Sequence, residues 1–187
     1  SPQGLLFPAL WVLAIVAFVA LWRDRTFDRV RLLNWRGCRR EAPRILIQAL
    51  VGCVLVGVVL WLVAPERLFS LPRERPGLWI AIMIGYPIAS VYPQELVWRT
   101  AFFQRYEGTL GRIGCVVVSA LAFGWVHIIF QNWIAVAMTV VGGVILGVKY
   151  ARSRSTLAAR LEQALLGCFV FMIGLGDFFY AGAVHRA

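Results

Sequence analysis

The sequence predicts an all-α fold, a polytopic transmembrane helical bundle of about six spans that forms a single integral membrane domain over residues 1–187. Three observations carry this. Hydrophobic residues make up 60% of the chain, and a water-soluble core would leave far too much of that apolar surface over. Several apolar runs approach the roughly 20 residues that a helix needs to cross a hydrocarbon core, and no stretch between them is long enough for a soluble domain. The Lys and Arg residues fall in the short connections between those runs, which is the charge pattern of a membrane protein with its basic segments in the cytoplasm.

The formal net charge of +10 does not point to nucleic acid, because the basic residues are not interleaved with exposed aromatics on a polar domain. The cysteines Cys38, Cys53, Cys115 and Cys168 show no paired spacing and read as packed thiols rather than disulfides or metal ligands. The start of the chain, at Ser1, has neither the charged region nor the cleavage site of a signal peptide.

Taken in order, the first run is Leu5 to Leu21, and Trp22 marks where it leaves the lipid. From Arg23 to Arg44 the chain carries Arg23, Arg25, Arg29, Arg31, Arg36, Arg39, Arg40 and Arg44 against Asp24, Asp28 and Glu41. This reads as a cytoplasmic loop lying against anionic headgroups, chiefly an orientation signal. The second run, Ile45 to Ala64, ends at Pro65 before a mixed-charge outer loop that holds Glu66, Arg67, Arg73, Glu74 and Arg75. Leu78 opens a third run through Pro87 and Pro93 to Tyr106, read as one long kinked span because each proline removes a helix hydrogen bond. Gly108 and Gly111 make a short turn. Ile113 to Phe130 form the fourth run, Gln131 and Asn132 an outer turn, and Trp133 to Tyr150 the fifth. In that fifth run Gly142, Gly143 and Gly147 allow close helix approach. Lys149, Arg152, Arg154 and Arg160 mark a second basic inner segment, and a sixth helix runs from about Ser155 to Gly174. The end, Gly174 to Tyr180, reads as a helix stop with an aromatic belt; His185 is assigned nothing. No internal repeat supports a transporter built from duplicated halves.

Chemistry concentrates in the third and fourth runs. Glu95 and Arg99 are four residues apart and share a helix face. A charged pair at membrane depth is costly and is kept chiefly when it is paired and has a task. His127 lies at a compatible depth on the next run. A carboxylate and an imidazole that meet in a wet pocket can hold and deprotonate water, one as general base and the other as positioner. The alternative is a neutralised pair that fixes helix packing, with His127 bonded to a backbone carbonyl. Zinc is short of ligands here, since no His-Glu-x-x-His helix is present, and no cofactor is expected. Glu162, read as buried near Arg160 and Gln163, is either a catalytic group or a neutralised packing residue.

Gln94-Glu95-x-x-x-Arg99, then Phe123-x-x-x-His127, then Glu162-Gln163-Ala164-Leu165-Leu166-Gly167 resemble the three motifs of the CPBP family, which comprises CAAX prenyl proteases and bacteriocin-processing enzymes and is also called Abi. The resemblance covers roughly Ser90 to Tyr180. It implies an intramembrane endopeptidase in which Glu95 and His127 activate water, Arg99 orients Glu95, and Gln163 assists the oxyanion. The sequence also departs from the family pattern. Gln94 stands where the first glutamate is usual, Gln163 where a histidine is expected, and Gly167 where an asparagine is expected. Glutamine can donate a hydrogen bond but carries no proton at neutral pH, and glycine offers no side chain.

Two readings follow. One is a Glu/His intramembrane protease acting on a hydrophobic or lipidated peptide. The other is a catalytically inactive homologue that serves as a structural or assembly subunit of a larger membrane complex, its apolar faces with Trp11, Trp61 and Trp79 docking other helices. Both place the chain in a membrane, expected to be a bacterial inner membrane, with residues 23–44 and 149–160 as cytoplasmic loops and with lipids as partners.

Overall fold

The computed structural model describes residues 5–176, and among these residues there are helices and no strand. Four stretches are long and apolar enough to cross a membrane: Leu6–Arg23, Trp35–Val63, Pro76–Phe130 and Trp133–Ser153. This is an integral membrane protein. The third stretch holds 55 residues, well over twice what one crossing needs. It breaks at Gly111, whose φ of 66° lies in the left-handed region that glycine enters without steric cost. The chain reverses there: Phe103 before the break and Cys115 after it pack in one cluster with Tyr150. Two arms result, 76–110 and 112–130. With α1 (Leu6–Arg23), α2 (Trp35–Val63), α7 (Trp133–Ser153) and the shorter α8 (Thr156–Met172), they form rods that correspond to the six apolar runs. The predicted aromatic belt at Asp177, Phe178, Phe179 and Tyr180, and His185, lie outside the described residues.

The basic segments are loops only in part: Arg25, Arg29 and Arg31 lie in the connection 24–34. Helix α2 starts at Trp35, well before the apolar run begins at Ile45, so Arg36, Arg39, Arg40 and Arg44 are helical. Arginine is a good helix former, and its long side chain reaches water while its backbone stays in the rod. Asn34 fixes the start: its side-chain oxygen accepts from the Gly37 amide at 2.9 Å, and its amide donates to the carbonyls of Ser153 and Arg154 at 3.2 and 3.3 Å. In the second basic segment, Lys149 and Arg152 ride on α7 and Arg160 on α8, with only a short turn at Arg154 and Ser155 between the helices.

Small residues set the contact between arm 112–130 and α7. A β-carbon at Gly143 would stand 2.9 Å from Ala120 Cα, so the two backbones touch only because position 143 has none. Gly147 lies against Val116, whereas Gly142 faces open space and takes no part.

After the short helix α3 (Ser70–Glu74), the first arm is one continuous helical rod with two wide turns. It runs as α4 (Pro76–Tyr86), a π segment Pro87–Val91, α5 (Tyr92–Glu95), a second π segment Leu96–Ala101, then α6 (Phe102–Val126), which carries the Gly111 reversal. Pro87 and Pro93 lack the amides that would bond the carbonyls four residues back, those of Met83 and Ala89. Neighbouring helices reach both carbonyls: the Trp11 indole donates to Ala89 at 3.0 Å and the Cys168 thiol lies 4.0 Å from that of Met83. Trp11, one of the residues read as able to dock other helices, is bonded within the chain, where it also packs on Tyr92, and it keeps an exposed side.

Candidate active site

Glu95 closes α5 and Arg99 sits in the π segment that follows. Both are fully buried. The Arg99 Nε lies 3.6 Å from Glu95 Oε2, an ion pair too long for a direct hydrogen bond. Arg99 spends Nη1 on the Trp98 carbonyl at 3.2 Å. Neither oxygen of Glu95 accepts a hydrogen bond from any described residue. Wide turns of this kind recur at functional sites, because they re-aim side chains that a regular helix would stack. Here one lies on each side of Glu95.

The second arm meets this pair through Phe123. The Arg99 guanidinium carbon stands 5.3 Å from the centroid of the Phe123 ring, within range of a cation–π attraction. Phe123 in turn packs edge-on against His127, with centroids 4.7 Å apart. The His127 Nδ1 is 2.7 Å from the Phe123 carbonyl. A carbonyl can only accept, so Nδ1 carries the proton and the neutral ring keeps its lone pair on Nε2. The backbone bond named as the packing alternative for His127 is thus present, and it leaves the other nitrogen able to act as a base. No hydrogen bond or ion pair joins Glu95 to His127 among the described residues; Arg99 and Phe123 stand as the link between their helices.

Helix α8 closes a third side. Its residues Arg160, Gln163 and Gly167 lie three or four apart and share a face, and that face runs antiparallel to the chain from Tyr86 to Glu95. At one end Arg160 stacks on Tyr92, its guanidinium carbon 4.3 Å from the ring centroid. In the middle the Gln163 Nε2 donates to Gln94 Oε1 at 2.6 Å, and the Gln94 Nε2 donates to Ser90 Oγ at 2.9 Å. At the other end the tip of the Tyr86 ring lies against Gly167: a β-carbon there would stand 2.6 Å from Tyr86 Cζ and closer still to the hydroxyl oxygen. The space a side chain at 167 would take is filled by the Tyr86 phenol.

Glu162 does not join this group; its contacts fit the packing reading, with partners other than the expected Arg160 and Gln163. Adjacent residues of a helix point about 100° apart, and Glu162 turns to α2 and α7. Lys149 Nζ lies 3.6 Å from both Glu162 Oε2 and Glu41 Oε2, and donates to the Gln48 side chain at 2.7 Å. Arg44 and Arg152 flank Glu41 at 3.2 and 3.8 Å. This second cluster joins three helices by buried charge. Among the described residues no three His, Cys, Asp or Glu side chains gather in a way that could hold a metal ion.

Sequence reasoning therefore named Glu95, Arg99, His127 and Gln163, and the fold gathers three helical segments around them. It passed over Tyr86 and gave Arg160 only an orientation role. The available signal was an aromatic or basic residue inside an aliphatic run, at helical spacing from a motif residue.

Comparison with protein families gives a match: the model described as type II CAAX prenyl endopeptidase, Rce1-like, covers residues 72–169, just over half of the chain. Neither the curated proteins nor the solved structures contain a match.

Proposed function

The chain belongs to the Rce1-like family of type II CAAX prenyl endopeptidases, and from that membership we propose that it is an intramembrane endopeptidase cleaving a hydrophobic or lipidated peptide. Glu95 and His127 activate the attacking water, Arg99 orients Glu95, and Gln163 assists the oxyanion. The observation that carries this reading is the state of Glu95. It is fully buried, ion-paired to Arg99, and both of its oxygens lack a protein hydrogen-bond donor. Glu162 is likewise buried without a hydrogen-bond donor on either oxygen, but it is paired with Lys149 in the cluster that faces away from Gln94 and Gln163, whereas Glu95 is set between two π segments and beside the arm that carries Phe123 and His127. His127, with Nε2 left as the lone-pair nitrogen, supplies a second base on the neighbouring arm. The Gln163 amide, which donates to Gln94 and interacts with the Tyr86 hydroxyl, is the group that would turn to the developing oxyanion. The basic helix ends 23–44 and 149–160 are assigned to the cytoplasmic side, in a bacterial inner membrane.

The test is cleavage of a prenylated peptide by the protein reconstituted in liposomes. Glu95→Ala, with insertion verified, abolishes turnover on this reading; undiminished cleavage would sink it. A second reading, a non-catalytic assembly subunit, is favoured by one observation: Tyr86 fills the space over Gly167. It predicts that the chain co-migrates stoichiometrically with a larger complex after mild extraction, and that Glu95→Gln and His127→Ala leave the cellular phenotype unchanged.

A further inference from the structure

The site holds two guanidiniums against one carboxylate. Glu95 and Arg99 answer one another at 3.6 Å. Arg160, half-buried on α8, has no ion-pair partner among the described residues. Glu41 and Glu162 are taken by Lys149, and Glu107 by Arg112 and Arg154. Arg160 is held instead by the face of Tyr92, and its Nε is buried without a hydrogen-bond partner. It lies over Tyr92, which opens the same short helix that Glu95 closes, and it stands three residues before Gln163 on the same face of α8. A guanidinium keeps its charge under all ordinary conditions and presents a planar fork of donors matched to a carboxylate. Stacking on Tyr92 fixes the plane of that fork, so that little side-chain freedom remains to be lost when an anion docks.

We propose that Arg160 receives the terminal carboxylate of the peptide substrate, so that the site selects apolar peptides that end in a free acid. This rests on the endopeptidase reading and deepens it, because a CAAX sequence is by definition a chain end. The net positive charge of the Glu95, Arg99 and Arg160 group is balanced when that carboxylate binds. An apolar peptide with a blocked end leaves the guanidinium unanswered in a poorly solvated place.

The experiment is binding in nanodiscs of fluorescein-labelled farnesyl-Cys-Val-Ile-Ala, prepared as the free acid and as the C-terminal amide. His127→Ala serves as the background, so that binding is read without turnover and the Glu95–Arg99 pair stays intact. The free acid is expected to bind about tenfold or more tighter than the amide. Arg160→Gln is expected to erase that difference by weakening the acid alone, while Arg160→Lys, which keeps the charge but loses the fork, retains part of it. Equal binding of acid and amide in the background, or a preference that survives Arg160→Gln, would overturn the assignment and leave the peptidase reading standing. Failure of both peptides to bind, with the protein folded and monodisperse, would overturn the peptidase reading and this proposal together. In the His127-intact enzyme, a loss of kcat on acid and amide alike in Arg160→Gln, with KM unchanged, would also overturn the proposal, since that is the signature of oxyanion stabilisation.

Discussion

The phenol of Tyr86 occupies the space that a side chain at Gly167 would need. Adding a methyl group there forces the ring aside in a packed helix contact, at a cost of about 1–3 kcal/mol. Gly167→Ala should lower stability by that amount in detergent unfolding. In a Tyr86→Ala background the same change should cost little, because the obstacle is gone. Equal costs in both backgrounds would mean that the ring is not what excludes a side chain at 167.

Arg99 and Glu95 are fully buried and answer each other's charge. Removing one leaves the other unpaired, which typically costs about 3–5 kcal/mol. Glu95→Gln and Arg99→Met should each show that loss, and the double variant should lose much less than their sum. Additive losses in the cycle would show that the two side chains are energetically independent.

Lys149 stands between two buried carboxylates on different helices. Lys149→Met strands Glu162, while Glu41 keeps Arg44 and Arg152, and should destabilise by about 3–5 kcal/mol. Adding Glu162→Leu should recover part of the loss. Because this cluster faces away from Gln94 and Gln163, turnover per folded molecule should be unaffected by the pair of changes, which a cleavage assay normalised to folded protein would read.

Trp11 donates to the Ala89 carbonyl, the group that Pro93 cannot meet from within its own helix. Trp11→Phe keeps an aromatic side chain and removes that donor, with an expected loss of about 0.5–1.5 kcal/mol in unfolding. The loss should shrink when Pro93 is replaced by alanine, which brings its own amide. A loss that persists unchanged would place the value of Trp11 in packing alone.

His127→Ala should lower kcat by about 10²–10⁴-fold, the usual contribution of a positioned general acid or base. Stability should change little, since the only hydrogen bond removed is the one to the backbone of Phe123. A variant that unfolds rather than slows would assign His127 to packing.

The rods themselves were legible because lipid imposes a simple code: a run of apolar residues of the right length is a helix. The Gly111 turn and the prolines of the third run were readable for the same local reason, since glycine and proline act on their own backbone. Helix α2 was misjudged at its start because hydropathy reports where lipid ends and not where the helix does; Arg36 to Arg44 are polar and helical at once. Partners were the least legible. Glu162 is adjacent in sequence to Gln163 and near Arg160, whereas its partner is Lys149 on another helix. Trp11 and Ala89 are 78 positions apart, and no local periodicity announces such a contact. Arg160 looked like one more basic residue at a membrane boundary until α8 was seen lying along Tyr92 and Gln94.

The two π segments on either side of Glu95 bear on chain length as well as on direction. A π turn bonds five residues ahead instead of four, so each segment holds roughly one residue more than a regular helix would use. Deleting a single residue between 96 and 101 would let the rod relax into uniform α geometry with the chain beyond it still in register, so that Phe103 keeps Tyr150 and Gln104 keeps Asp24 and Arg31. What would be lost is the wide turn that sets Arg99 beside Glu95 and against Phe123. The extra residue therefore serves the site and not the bundle: the rods could assemble without it, but the aim of Arg99 could not be kept.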